Sequence, residues 1–84
     1  MKLIKNLYFV AKGERTGQFL IIIDFDKKTN VYSVLVLPDS EAILITQTEI
    51  ENGINKKILE FVQELPETIF SDCKTEFKYR ETHK

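Results

Sequence analysis

One cysteine, one histidine and no tryptophan among 84 residues exclude several kinds of protein at the outset. A lone Cys73 forms no internal disulfide, which suits a reducing compartment and an expected cytoplasmic location. Structural zinc takes about four nitrogen or sulfur ligands, and Cys73 with the penultimate His83 cannot supply them. Nucleophilic catalysis needs a hydroxyl or thiol beside a positioned base, and His83 lies where a chain is least held. Hydrophobic runs are short as well. The longest uninterrupted one, Phe19 to Ile23, falls far below the roughly 20 residues that cross a bilayer. The opening "MKLIKNLYFVAKGE" sets lysines ahead of apolar residues, but Lys5 and Asn6 interrupt it and no small-residue cleavage site follows. With three glycines and two prolines there is no linker, repeat or low-complexity tract, so residues 1–84 read as a single domain.

What is present is enough apolar material for one core. Hydrophobic residues make up 43% of the chain, including six Phe and three Tyr. A chain this size buries only roughly 60–65% of the surface its unfolded form exposes. The net charge of -1 conceals a basic start, an acidic middle and a basic end. Residues 39–73 hold eight acids against Lys56 and Lys57, while Lys2, Lys5, Lys12 and Arg15 precede them and Lys74, Lys78 and Arg80 follow. Such a field orients an approaching partner without defining a fold.

Alternation marks the strands. Leu3 to Ala11 places Leu3, Leu7, Phe9 and Ala11 on one face and Ile4, Tyr8 and Val10 on the other. "KGERTGQ" then reads as a hairpin loop in which Gly13 and Gly17 are free to take positive φ. In "FLIIIDFD" strict alternation sets Phe19, Ile21, Ile23 and Phe25 opposite Leu20, Ile22, Asp24 and Asp26. The two aspartates thus share a face at the strand's exit, just before "KKTN". They read as the approach to a turn, because a hard metal site recruits more oxygen ligands than this stretch offers. Val31 to Leu37 forms a third strand and Ala42 to Thr46 a fourth.

Thr48 with Glu51, or Thr46 with Glu49, has capping-box spacing and opens a helix. Ile50, Ile54, Ile58, Phe61, Val62 and Leu65 recur at three- and four-residue steps, predicting an amphipathic helix that runs to Pro66. It is expected to pack on the Phe19, Ile21, Ile23 and Phe25 face. After a helical turn burying Ile69 and Phe70, the alternation of Thr75, Phe77 and Tyr79 with Lys74, Glu76, Lys78 and Arg80 predicts a charged edge strand. The fold class is therefore α+β: an antiparallel meander of about four strands, one amphipathic helix and a C-terminal strand, in the order β-β-β-β-α-β.

Function is less legible. "AKGERTGQ" has glycines and cations but lacks the Gly-Lys-Ser/Thr ending of a phosphate loop. No catalytic, cofactor or metal residues are assigned, and the chain is expected not to be an enzyme. One helix leaves the second sheet face uncovered, so Tyr8, Leu20, Ile22, Tyr32, Val34 and Val36 are expected to form an open apolar patch. That patch calls for another protein or a second copy of the chain, and the acidic Glu49, Glu51, Glu60 and Glu64 suit a basic partner. The leading expectation is a non-catalytic regulatory or adaptor module, of the size and low arginine content of phage and mobile-element inhibitors of host proteins. The alternative is a single-stranded RNA- or DNA-binding sheet using Lys5, Tyr8, Lys74, Lys78, Tyr79 and Arg80.

Overall fold

The computed structural model describes residues 3–83; Lys2 of the basic N-terminal group lies outside them. Seven elements follow in order: β1 (Asn6–Val10), β2 (Phe19–Asp26), β3 (Val31–Leu37), β4 (Glu41–Thr46), α1 (Gln47–Asn55), β5 (Leu59–Glu64) and α2 (Glu67–Thr82). The strands form one antiparallel sheet in the order β4-β3-β2-β1-β5. The α+β class holds, as does the order of the first five elements; residues 59–64, expected to be helical, form a fifth strand. A second helix replaces the expected C-terminal strand.

The turns follow residue chemistry. Gly13 and Gly17, at φ 96° and 91°, open the β1–β2 loop. At the β2–β3 turn an Asp26 carboxylate oxygen accepts from the Lys28 amide at 2.9 Å, and Asn30 takes φ 57°. α1 starts at the earlier of the two capping boxes: Thr46 is the N-cap and its hydroxyl accepts from the Glu49 amide at 3.2 Å.

α1 then stops ten residues before the expected end. Lys57 adopts φ 59°, its amide donates to the Ile54 carbonyl, and the Ile58 amide donates to Gly53 O at 2.8 Å. That pair of bonds is a Schellman ending with lysine where glycine is usual. Ile58, Phe61, Val62 and Leu65 therefore do not extend a helical stripe. Leu59–Glu64 turns back as β5 and pairs with β1.

Both sheet faces are covered by the chain itself. On one, Tyr8, Leu20, Ile22, Tyr32, Val34 and Val36 pack with Ile50 of α1, Leu59 and Leu3. On the other, Ile21, Ile23 and Leu35 pack with Leu65 and with Phe70 and Phe77 of α2. α1 thus docks on the Leu20/Ile22 side, opposite to expectation, and α2 takes the Ile21/Ile23 side. A bulge between Ile22 and Asp24 shifts the register with β3. It carries Phe25 across to the α1 side, where its ring lies 4.6 Å from that of Tyr32.

Residues 67–82 are helical because Phe70, Cys73 and Phe77 fall on one side at helical spacing. Lys74, Glu76, Lys78, Arg80 and Glu81 add strong helix formers to its second half, and Arg80 donates to Glu76 one turn earlier at 2.6 Å. Glu67, in the first turn, pairs with Lys5, which holds its carboxyl below the ordinary value of 4.5. A lowered carboxyl contributes stability above that value and loses it as pH falls through the folded pKa. Because the pair is solvent-screened, the contribution is small. Glu67→Gln is expected to flatten the fall in stability below about pH 4.5, as checked by urea midpoints measured down the acid limb.

Candidate functional site

β5 is anchored at its start and bare along the rest. Gly53 lets α1 approach closely there, since a Cβ in its place would stand 3.0 Å from Leu59 Cδ1. Leu59 is buried, whereas Glu60, Phe61, Val62, Gln63 and Glu64 are all exposed. At the far end Leu65 donates its amide to Lys5 O at 2.9 Å. Phe61 and Val62 remain 59% and 47% exposed, and the Phe61 ring meets that of Tyr8 edge-on, at 5.9 Å between ring centroids.

Among the described residues, one side of this strand has no partner. β5 is the last strand of the sheet. Ala11 donates to Ile58 O at one end of its pairing with β1, and Leu65 donates to Lys5 O at the other. In an antiparallel ladder the backbone groups alternate between neighbours. Those of Glu60 and Gln63 therefore turn toward β1, and those of Phe61 and Glu64 turn outward. A bulge makes Val62 the unpaired residue between Phe61 and Gln63. β5 carries two glutamates and no cation.

The expected apolar patch is not open. Tyr8, Leu20, Ile22, Tyr32, Val34 and Val36 are each 6% exposed or less and form the α1-side core. The second helix, unforeseen because Lys74–Arg80 alternates, frees α1 to cover this face. Phe61 and Val62, by contrast, were assigned to a helical stripe. Their local signal was weak, since in "LEFVQE" only Phe61 and Val62 themselves favour strand.

The basic and aromatic residues do not come together. Tyr8 is buried on the α1 side, while Lys74, Lys78, Tyr79 and Arg80 lie on α2 across the sheet. Lys5 pairs with Glu67 and Arg80 with Glu76. The Lys5 and Lys74 ammonium groups sit 5.8 and 5.6 Å from the Phe70 ring centre. That ring is itself buried and offers no platform for a base.

Cys73 faces the α2-side core, and burial raises its thiol above the ordinary value, with Asp72 adding to the effect. A protonated, half-buried thiol is a poor nucleophile. Among the described residues no three His, Cys, Asp or Glu side chains gather as metal ligands. No helix among them is long and apolar enough to cross a membrane. A groove of about 360 Å³ lies between α2 and the sheet, with Ile23, Phe70 and Phe77 below Asp24, Lys74 and Lys78. No buried side-chain nitrogen or oxygen among the described residues lacks a hydrogen-bond partner, so none is aimed into that groove for a ligand. Set against known protein families, curated proteins and solved structures, the chain has no match in any of the three.

Proposed function

We propose that this chain is a non-catalytic regulatory or adaptor module that acts by binding another protein through the β5 edge. The observation that supports this reading is the exposure of Phe61 and Val62 side by side on a strand whose outer backbone is unpaired. Natural sheets usually blunt such edges with lysine, proline or a covering segment. Short length, charge and bulges serve the same end, and β5 has two glutamates and the Val62 bulge; it has no lysine or proline, however, and Phe61 and Val62 stay exposed among the described residues. The other exposed apolar residues, Leu44, Ile69 and Tyr79, are spread over β4 and α2. Scattered residues of this kind are ordinary surface.

Photo-crosslinking in the producing cell tests the reading, with the reactive side chain placed in turn at Val62, Ile69 and Tyr79 of the full chain. A discrete protein adduct from Val62, outcompeted by purified wild-type chain but not by the Phe61→Lys chain, is the expected result. Adducts that disappear on nuclease treatment, or no protein adduct from any position, would overturn it.

A further inference from the structure

We infer that β5 takes up its partner by strand addition, and that the partner segment is extended, apolar at its centre and flanked by basic residues. This inference rests on the protein-binding reading above and specifies its mode. Strand addition draws affinity from main-chain hydrogen bonds and specificity from side chains on the added strand. β5 offers both parts: outward backbone groups at Phe61 and Glu64, and a side-chain pattern running Glu60, Phe61, Val62, Gln63, Glu64. Two carboxylates bracket two apolar side chains. Opposite charges across a strand pair stabilise it and like charges destabilise it. A segment with cations at both ends of a short apolar run meets that pattern whether it lies parallel or antiparallel.

Charge and geometry also decide against a second copy as the occupant. Two-fold pairing of β5 with itself would gather four glutamates at one seam, with no cation on either strand. It would also set one Val62 bulge beside another, and each bulge breaks the ladder locally. A basic segment from a different protein meets no like charge at Glu60 and Glu64 and brings no second bulge to the seam.

The test uses the isotope-labelled full chain and short capped peptides. One peptide has lysines flanking a run of valines, and a second has glutamates in the lysine positions. Two more carry the lysine sequence with alternate backbone amides N-methylated, in one phase or the other. The lysine peptide is expected to bind several-fold tighter than the glutamate peptide, to shift β5 amide resonances, and to slow hydrogen exchange at Phe61 and Glu64. Methylation in one phase should abolish binding while the other phase is tolerated. The Glu60→Lys, Glu64→Lys double variant should invert the charge preference.

Equal affinity for both charges, shifts confined to α2, or indifference to methylation phase would overturn the inference. So would concentration-dependent β5 shifts without peptide, which would assign the edge to a second copy. Crosslinks to protein from Ile69 or Tyr79 but not from Val62 would sink the β5 edge and leave protein binding as such standing. Loss of every protein crosslink would sink both.

Discussion

Phe77→Ala is expected to lower the unfolding free energy by ~3–5 kcal/mol, whereas Tyr79→Ala is expected to cost less than about 1 kcal/mol. The two residues stand two positions apart, which is the spacing at which strand and helix give opposite answers. On a strand they would share a face and a fate. On α2, Phe77 is 6% exposed within the core formed by Ile21, Ile23, Leu35 and Phe70. Tyr79 is 54% exposed and stacks only on His83, with ring centres 4.2 Å apart. Chemical denaturation of the two variants reads the difference directly. Equal losses would place both rings in the core and contradict the helix.

Ile50→Ala is expected to cost ~2–5 kcal/mol and to release α1 before the rest of the fold opens. α1 has nine residues, and an isolated helix that short is marginal in water. Thr46 caps its start, but Ile50, 1% exposed, is the large side chain that fastens it to Tyr8, Leu20, Ile22 and Val34. Without that side chain a short helix has little to offset its ordering entropy. In hydrogen exchange, α1 amides should lose protection at lower denaturant than β2 and β3 amides. Dye that fluoresces on apolar surface should bind the variant under native conditions. If α1 and the central strands opened together, or no dye bound, the helix would be held by something other than Ile50.

These variants bear on how much of the molecule could be read from its residues. β2, β3 and β4 were legible because β-branched runs, glycines at positive φ and the Asp26–Asn30 turn all pointed the same way. The two faces of β2 were half legible. Alternation separated Leu20 and Ile22 from Ile21 and Ile23, but a bulge leaves no compositional mark and moved Phe25 across. Beyond Gln47 the periodicities conflicted. Ile50, Ile54, Ile58 and Leu65 keep helical spacing through a point where the backbone reverses, because the residue that turns it, Lys57, has no intrinsic preference for positive φ. In α2 the alternation of charge on Lys74–Arg80 concealed the wider spacing of Phe70, Cys73 and Phe77. The candidate edge was illegible for the same reason: Phe61 and Val62 become surface only once α1 is known to stop early. Pairing partners are settled by tertiary context, which overrides local pattern.

The strand order also governs the sequence of events as the chain is made. Neighbours β1 through β4 are joined in succession, so each hairpin can close soon after its second arm emerges. β1 is the exception, because its other neighbour is β5: Asn6 must wait for Glu64. Until then a nascent chain displays the free border of its first strand, and joining ends so far apart carries an added loop-closure cost. Premature release or a pause before residue 59 would leave that border unsealed, and misassembly during synthesis would begin there.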